Sequence, residues 1–246
     1  MPSFNASLDW DEIDLVVFDM DGTLYDQKKL RARMLMELLR ASARDRSLDT
    51  VLTLRAFRHT REMLADTQAG DFLSTQYEIP AARRGCEAAR VRALVAEWME
   101  QRPLPYLAAC RRPGIEQLFG AIARTGRRIG ILSDYPAADK LAALGLRADF
   151  IVAATDPDVA RLKPDTTGLD KLMRLAEVDP RRAVLIGDRV DRDGAVAARA
   201  GMRALILSRR PHAGVDCFGS FGDALFRPLL GAPPRGVGPL GVTKTA

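Results

Sequence analysis

Apolar runs alternate with helix-like segments through the second half of the chain. Continuous apolar stretches lie at residues 128–132, 150–153, 183–187 and 203–207, and a similar stretch at 13–18 precedes them. Segments that favour helices flank the later stretches, at about residues 115–124, 137–144, 167–176 and 194–200. Strands buried on both faces appear as continuous apolar runs, and their alternation with helices is typical of parallel sheets. The pattern predicts an α/β fold, a Rossmann-like parallel sheet core with helices on both faces.

The segment that follows the first apolar stretch has a different pattern. Residues 27–103 are rich in Leu, Ala, Arg, Met and Glu, and no part of them favours a strand. One helical face is formed by Leu35, Leu38, Leu39 and Ser42, and another by Val91, Leu94, Val95 and Trp98. The segment is too long for an ordinary loop. We therefore expect an all-helical domain at 27–103, inserted into a core domain formed by residues 1–26 and 104–227.

Three further expectations concern the tail of the chain, membrane spans and the location of the protein. Residues 228–246 are rich in Pro and Gly and lack apolar periodicity, so we expect a flexible tail. No run of about 18 apolar residues is present, and we expect no membrane span. The first residues lack a basic stretch followed by an apolar one, so we expect no secretory signal and a cytoplasmic location.

Composition narrows the class of ligand. Residues 27–112 hold 17 basic against 10 acidic residues, in a chain with a net charge of +5. These basic residues form a solvated helical surface or attract an anionic ligand; they are not interleaved with aromatic residues, so nucleic-acid binding is not expected. The three cysteines form no Cys-x-x-Cys pair and the two histidines lie far apart. This pattern disfavours a zinc site, a disulfide framework and a Ser-His-Asp triad.

Reactive side chains follow the first apolar stretch. Asp19, Asp21, Gly22 and Thr23 lie directly after it, and ligands of open parallel sheets bind beyond the carboxyl ends of the strands. One carboxylate can attack a substrate while the second moves a proton, and the glycine lets backbone N–H groups approach an anion. An ordinary Asp-Gly turn is the alternative interpretation of this motif.

Three later strand ends carry complementary chemistry. Ser133 and Asp134 follow the second stretch, and the hydroxyl and neighbouring N–H groups can bind phosphate oxygens or cap a helix. Lys163 follows the third stretch and can neutralise a transferring group, although it is also an ordinary surface residue type. Asp188 and Asp193 follow the fourth stretch, where an acidic cluster is costly unless it is paired or binds a cation.

These four motifs, in this order, resemble the signatures of the haloacid dehalogenase (HAD) superfamily in its phosphatase branch. The helical insert resembles the cap of the phosphoglycolate-phosphatase-like subgroup. The resemblance covers residues 13 to about 207. It implies a Mg²⁺-dependent phosphatase that hydrolyses a small-molecule phosphomonoester through an aspartyl-phosphate intermediate.

The resemblance also implies a role for each site residue. Asp19 is the nucleophile, Asp21 is the acid and base, and Lys163 stabilises negative charge. The phosphate-binding residues would be Asp19, Gly22, Thr23, Ser133, Asp134 and Lys163. The Mg²⁺ ligands would be Asp19, Asp21 through its main-chain carbonyl, Asp188 and Asp193. We expect burial under the cap and the charge of the leaving group to raise the pKa of Asp21, so that it can act as an acid.

The substrate and two alternative activities stay open at this point. A small phosphorylated metabolite is the expected partner, and the sequence does not indicate an oligomeric state. Candidate cap contacts are Tyr25, Arg58, Arg61, Arg83 and Arg84; a basic cap would suit a substrate with a second anionic group. A phosphomutase or phosphotransferase uses the same intermediate, and a non-catalytic regulatory protein can share the scaffold. A dehalogenase is disfavoured because Asp21 is present.

Overall fold

The fold centres on one parallel sheet. The computed structural model describes residues 8–68 and 70–233. Its strands are β1 (Leu15–Phe18), β2 (Arg128–Ser133), β3 (Phe150–Ala153), β4 (Ala183–Gly187), β5 (Arg203–Leu207) and β6 (Asp216–Phe218). They form a six-stranded sheet in the order β3-β2-β1-β4-β5-β6, and every neighbouring pair is parallel. The predicted α/β class is confirmed.

The register aligns the carboxyl-terminal parts of β1, β2 and β4 side by side. Phe18, the last residue of β1, lies opposite Ile131 of β2 and Ile186 of β4. The chain runs outward from β1 through β2 to β3, and on the other side from β4 to β6. The strand order therefore reverses beside β1, which is where a crevice opens in folds of this kind.

Helices cover both faces of the sheet. The core helices are α6 (Ile115–Arg124), α7 (Ala138–Ala143), α8 (Thr167–Ala176) and α9 (Ala195–Arg199). Val16 and Phe18 of β1 belong to the apolar cluster that includes α6 and α7. Leu15 and Val17 belong to a second cluster with α8 and α9. Side chains alternate between the faces of a strand, so the two clusters lie on opposite sides of the sheet.

Helices occupy the segment between the first two strands. They are α1 (Gln27–Asp45), α2 (Asp49–Thr67), α3 (Phe72–Arg84) and α4 (Ala88–Val95), followed by a π-helical stretch (Ala96–Gln101) and α5 (Leu104–Cys110). Within the part of this segment that the structure describes, no strand is present. The division at 27–103 into a separate domain stays a prediction. None of the described helices is long and apolar enough to cross a membrane.

The chain leaves and re-enters the core through two adjacent linkers. Tyr25 pairs with Arg111 in an isolated antiparallel bridge. The N–H of Asp26 donates to the carbonyl of Cys110 at 2.8 Å, and the N–H of Arg112 donates to that of Leu24 at 3.0 Å. These hydrogen bonds join the two connections between the core and the helical segment.

One of the two predicted helical faces is only half right, because its Ser42 is buried and its Leu38 packs against the core while its other two leucines do not. Helix α1 buries Leu30, Met34 and Ser42, whereas Leu35 is 51% exposed and Leu39 is 45% exposed. The buried side chains of α1 recur every four residues, because they lie on the side of the helix that α2 and α5 cover. The face that contains Val91, Val95 and Trp98 is buried as expected.

Two elements near the end of the chain were not expected. Strand β6 extends the sheet by three residues whose sequence has no apolar run. Helix α10 (Arg227–Leu230) overlaps the segment that was expected to be a flexible tail from residue 228, and its Leu229 is buried in the core. The packed core therefore extends past residue 227. Residues 234–246 lie outside the described part of the chain.

Candidate active site

Asp19 lies immediately beyond β1 and both of its carboxylate oxygens have partners. The Lys163 ammonium donates to Oδ1 at 2.5 Å, and the Thr23 hydroxyl donates to Oδ2 at 2.9 Å. Lys163 also donates to Oδ1 of Asp193 at 2.7 Å. Burial disfavours the charged lysine, but Asp19 and Asp193 outweigh it and hold the pKa of Lys163 well above its ordinary value. The lysine is therefore a fixed positive charge beside Asp19.

A cluster of three carboxylates is suited to a divalent cation. Asp19, Asp188 and Asp193 each offer an oxygen, and these oxygens lie within 4.8 Å of one another. Burial raises the pKa of Asp19 well above its ordinary value, opposed by Lys163 and reinforced by the other two carboxylates. Burial and then Asp193 raise the pKa of Asp188 to about 6. One lysine leaves this cluster with excess negative charge, and oxygen ligands of this kind fit Mg²⁺.

Two glycines allow the carboxylates to approach the strand ends. A Cβ on Gly22 would lie 2.2 Å from Oδ2 of Asp188, and Gly22 has a φ of +103°. A Cβ on Gly187 would lie 2.4 Å from Asp193. Oδ2 of Asp193 accepts hydrogen bonds from the N–H groups of Asp188 at 3.1 Å and Arg189 at 3.0 Å. The loop after β4 therefore holds Asp193 in one orientation.

Asp21 lies in a different electrostatic environment from Asp19. Lys140 of α7 donates to both of its carboxylate oxygens, at 2.7 and 3.1 Å, and the hydroxyl of Tyr25 donates to Oδ1. Burial raises the pKa of Asp21, but Lys140 and these hydrogen bonds outweigh it and bring the pKa below its ordinary value. The expected rise in the pKa of Asp21 is therefore wrong for the substrate-free site. No motif in the sequence indicated Lys140, which reaches Asp21 from α7.

The loop after β2 makes internal contacts. Ser133 is buried, and its Oγ accepts a hydrogen bond from the N–H of Tyr135 at 3.2 Å. Oδ1 of Asp134 accepts from the N–H of Lys163 at 3.0 Å. The Asp134 carboxylate therefore organises the segment that carries Lys163. Any contact of this loop with a phosphate has to come from the Ser133 hydroxyl or from backbone N–H groups.

A cavity of about 200 Å³ joins these residues to the helical segment. Its floor includes Asp19, Asp21, Asp134, Lys163, Asp188 and Asp193. Its roof includes apolar side chains of Leu30, Met34 and Trp98, with Arg31 from α1 and Arg58 from α2. The structure therefore brings these six predicted residues to one cavity beneath α1 and α2, whereas Gly22, Thr23 and Ser133 do not line it.

The five candidate cap contacts divide into two groups. Tyr25, Arg58 and Arg61 line the cavity. Arg83 and Arg84 are not among the lining residues, and Arg84 forms an ion pair with Asp49 of the cap at 2.9 Å. These two arginines lie at the carboxyl end of α3 and are ruled out as contacts in this arrangement.

Ion pairs connect helix α2 to the loop after β4. Arg189 donates to Glu62 of α2 at 2.9 Å, and Arg192 donates to Glu62 at 3.2 Å and to Asp66. Asp191 pairs with Arg189 at 2.7 Å, and its side chain is 62% exposed. Asp191 therefore points away from the carboxylate cluster.

Comparison with known sequences identifies the family. A family model described as haloacid dehalogenase-like hydrolase matches residues 13–201, which is most of the chain. This chain belongs to the haloacid dehalogenase-like hydrolases. Within this family, phosphoglycolate phosphatase of Rhodospirillum rubrum is 32% identical over 149 residues. That match covers 57% of this chain and 61% of the relative, which is less than two thirds of its length.

Two further comparisons agree with the family assignment. Glyceraldehyde 3-phosphate phosphatase of Methanopyrus kandleri is 26% identical over 203 residues, which cover 80% of this chain and 84% of that protein. The crystal structure of a HAD phosphatase from Thermococcus onnurineus matches with a TM-score of 0.64 at 20% identity. That match covers 91% of this chain and all of the other, and it supports the fold. The expected enzyme class, a phosphoric monoester hydrolase, agrees with both curated relatives.

Proposed function

We propose that this HAD-like hydrolase is a Mg²⁺-dependent phosphatase that acts on a small-molecule phosphomonoester through an aspartyl-phosphate. The observation that carries the proposal is the setting of Asp19. It ends the central strand, contacts Lys163 at 2.5 Å, and shares a 4.8 Å cluster with Asp188 and Asp193. Electrostatic support of this kind is what a carboxylate needs in order to approach a phosphate of the same charge.

The reaction follows from the placement of the two carboxylates. An oxygen of Asp19 forms a bond to phosphorus while the ester P–O bond breaks, and Asp21 gives its proton to the leaving oxygen. Asp21 then takes a proton from the water that attacks the aspartyl-phosphate, which releases phosphate and restores Asp19. Lys163 offsets the negative charge that develops next to Asp19.

The metal would occupy the carboxylate cluster. Asp19, Asp188 and Asp193 are its side-chain ligands, and the family resemblance adds the main-chain carbonyl of Asp21. When bound, Mg²⁺ reduces the repulsion between the attacking carboxylate and the phosphoryl group. In its absence the carboxylate cluster has only Lys163 as a contacting cation among the described side chains.

The protonation of Asp21 needs the substrate. Lys140 keeps its pKa low in the free protein. A dianionic phosphoryl group beside Asp21 is a like charge, which raises the pKa of a carboxyl group. Substrate binding therefore opposes Lys140 and favours the acid form that the first step requires.

The test is hydrolysis of a generic aryl phosphate with Mg²⁺, by the wild type, Asp19→Asn and Asp191→Asn. We expect Asp19→Asn to abolish phosphate release. Asp191→Asn is the matched control, because this aspartate is exposed and lies outside the cluster; we expect it to retain activity. Equal activity in Asp19→Asn and the wild type would contradict the mechanism. Transfer to an acceptor without free phosphate would assign the chain to the phosphotransferases instead.

The roof suggests that the substrate carries a second anionic group. Arg31 and Arg58 line the cavity and form no ion pair or hydrogen bond within the described residues. Burial lowers the pKa of Arg58, and Arg31 lowers it as a like charge, although Tyr135 opposes them. An anion between the two arginines would relieve this repulsion. The curated relatives are named for phosphoglycolate and glyceraldehyde 3-phosphate, one acidic and one neutral apart from the phosphate.

A substrate panel tests this part of the proposal separately. Matched phosphomonoesters with and without a carboxylate should differ in kcat/KM, with the acidic ester preferred. Arg58→Ala should reduce that preference, because it removes one of the two cations. Arg55→Ala is the control, since Arg55 is an exposed arginine of the same helix that does not line the cavity. No preference for acidic esters would reject the second anionic group and leave the phosphatase proposal intact.

A further inference from the structure

Arg61 is a buried arginine at the junction of the cap and the core. It belongs to α2 but is only 5% exposed. Its guanidinium donates to the main-chain carbonyl of Asp134 in the core and to Oε1 of Gln76 in the cap. The guanidinium carbon lies 4.1 Å from the centre of the Tyr135 ring and 5.4 Å from that of Phe72. Arg61 therefore contacts both sides of the junction.

The contact with Asp134 is unusual for a buried charge. Burial of a guanidinium is costly, and it is ordinarily offset by a carboxylate. Among the described residues Arg61 forms no ion pair; its recorded partners are a carbonyl, an amide oxygen and aromatic rings. A charge-assisted hydrogen bond to a carbonyl is stronger than a neutral one. The buried charge therefore holds one main-chain position firmly.

That position lies in the loop expected to receive the phosphoryl group. The Asp134 side chain accepts from the N–H of Lys163 at 3.0 Å, and the Ser133 hydroxyl accepts from the N–H of Tyr135 at 3.2 Å. Lys163 in turn contacts Asp19. A shift of the Asp134 backbone would move the donors of the loop and the segment that carries Lys163 together.

We propose that Arg61 is a positioning residue, through which the closed cap holds the loop after β2 in its phosphate-binding geometry. The inference rests on the proposed phosphatase function. Gln76 fixes the guanidinium from the cap side, Tyr135 stacks on it from the core side, and its hydrogen bond to Asp134 sets the loop. The loop after β2 is then correctly placed only when α2 lies over the site.

The experiment compares Arg61→Ala, Arg61→Lys and Gln76→Leu with Arg55→Ala as the matched control. Each variant is assayed with a neutral aryl phosphate and with an acidic phosphomonoester. The measurements are kcat, KM, competitive inhibition by inorganic phosphate, and the melting temperature. Phosphate has no organic group to contact the roof, so its inhibition constant reports on the loop itself.

We expect Arg61→Ala to lower kcat by about 10–100-fold, because a misplacement of about 1 Å in the reacting geometry has effects of this size. The factor should be equal for both substrates, and inhibition by phosphate should weaken. Arg61→Lys retains a cation near Tyr135 but lacks the planar fork whose two nitrogens bond Gln76 and Asp134, so it should recover part of the loss. Gln76→Leu should have a smaller effect in the same direction, and Arg55→Ala none.

Three results would overturn the proposal. A loss confined to the acidic ester would make Arg61 a substrate contact. A lower melting temperature with unchanged kcat and phosphate inhibition would make it a merely structural residue. If Arg61→Ala does not fold, wild-type kinetics in both Arg61→Lys and Gln76→Leu would reject the proposal.

An inactive wild type would reject the proposed function without deciding the role of Arg61. Calorimetric titration of the same variants with inorganic phosphate and Mg²⁺ measures the loop without turnover. Weaker binding by Arg61→Ala than by Arg55→Ala would support the positioning role there, and equal binding would overturn it.

Discussion

The floor and the roof of the cavity differ in how their charges are paired. On the floor, Asp19 contacts Lys163 and Asp21 contacts Lys140, with both distances at 2.7 Å or less. On the roof, Arg31 and Arg58 line the cavity and have no ionic partner within the described residues. A floor with paired charges is set before substrate arrives, which is how preorganised electrostatic sites work. The two roof arginines are available to bind the part of the ligand other than its phosphate.

The largest predicted effect separates floor from roof directly. Lys163→Met removes the ammonium that contacts both Asp19 and Asp193. We expect kcat for a neutral aryl phosphate to fall by about 10²–10³, or roughly 3–4 kcal/mol of transition-state stabilisation. Arg58→Met should change the same kcat by less than about threefold. The measurement is steady-state kinetics with saturating Mg²⁺.

Comparable losses in the two variants would contradict the distinction between floor and roof. The melting temperature of Lys163→Met is the necessary control, because removal of one partner from a buried charge cluster also destabilises the fold. A variant that retains its fold but loses activity assigns the loss to the site.

The second prediction concerns Mg²⁺ and pH at the floor. Burial raises the pKa of Asp188 to about 6 in the metal-free protein. A carboxyl with a raised pKa stabilises the fold fully below its unfolded pKa, and this contribution is lost as pH rises through about 6. Mg²⁺ competes with the proton for the Asp188 carboxylate. It should therefore stabilise the protein more at about pH 7.5, above that pKa, than at about pH 5, below it.

The size of this effect follows from binding linkage. At about 100 times its Kd, a ligand raises the free energy of unfolding by about 2.7 kcal/mol, or about 5–10 °C for a chain of this length. We expect Mg²⁺ to raise the melting temperature by about this amount at the higher pH and to change it little at the lower pH. Asp188→Asn should remove the rise at both. An equal Mg²⁺ effect at the two pH values would show that Asp188 does not bind the metal.

The third prediction tests the other lysine of the floor. Lys140 lowers the pKa of Asp21, so Lys140→Met should raise it. The ionisation of Asp21 sets one limb of the plot of kcat/KM against pH. That limb should then move to higher pH, whether Asp21 acts there as base or as acid. Lys140 also holds both oxygens of Asp21 in place, and the second step needs Asp21 as the ionised base, so we expect kcat near neutral pH to fall about tenfold, the low end of the range for acid–base catalysis. Lys171→Met is a control, because Lys171 pairs with Asp156 and Asp158 away from the cavity; an unmoved profile in Lys140→Met would contradict the role of Asp21.

The strand ends were predictable from the sequence for a topological reason. Strands β3, β4 and β5 were placed correctly because each appears as a continuous or nearly continuous apolar run, although only β4 is buried along its whole length. Their carboxyl ends meet at one edge of a parallel sheet, so order along the chain sufficed to group Asp19, Lys163 and Asp188. Strand β6 was missed because the sequence Asp-Cys-Phe gives no such run.

The helix-borne residues were not predictable in the same way. Lys140 and Arg61 reach the site from α7 and α2, and their burial depends on which helix face packs against the core. Helical spacing gave only half of the packed face of α1, where Leu35 is exposed and Met34 is buried. Arg61 was expected among the cap contacts, but only the structure shows that it contacts the Asp134 carbonyl. Which face of a helix is buried depends on tertiary packing, and the local sequence pattern does not determine it.

The smallest predicted effect lies where roof and floor meet. Arg192 is buried, and it contacts Glu62 and Asp66 of α2, whose side chains are 56% and 69% exposed. Ion pairs with exposed partners contribute about 0–1 kcal/mol each and are screened by salt. The amide oxygens of Glu62→Gln/Asp66→Asn can still accept from Arg192, so the double variant should lower the free energy of unfolding by about 2 kcal/mol or less, the sum over the two pairs.

The same variant sharpens the comparison through its kinetics. The core site is untouched, so kcat should hold, while KM should rise by a fewfold because the roof is less firmly held over the substrate. The difference from the wild type should shrink as NaCl increases from about 0.05 to about 0.5 M, because the shorter Debye length screens these exposed ion pairs more strongly. Asp158→Asn, which removes an exposed pair with Lys171, is the control. A fall in kcat as large as that of Lys163→Met would mean that the roof sets the chemistry as well as the binding, because Arg192 adjoins Asp193 in the loop that carries the metal cluster.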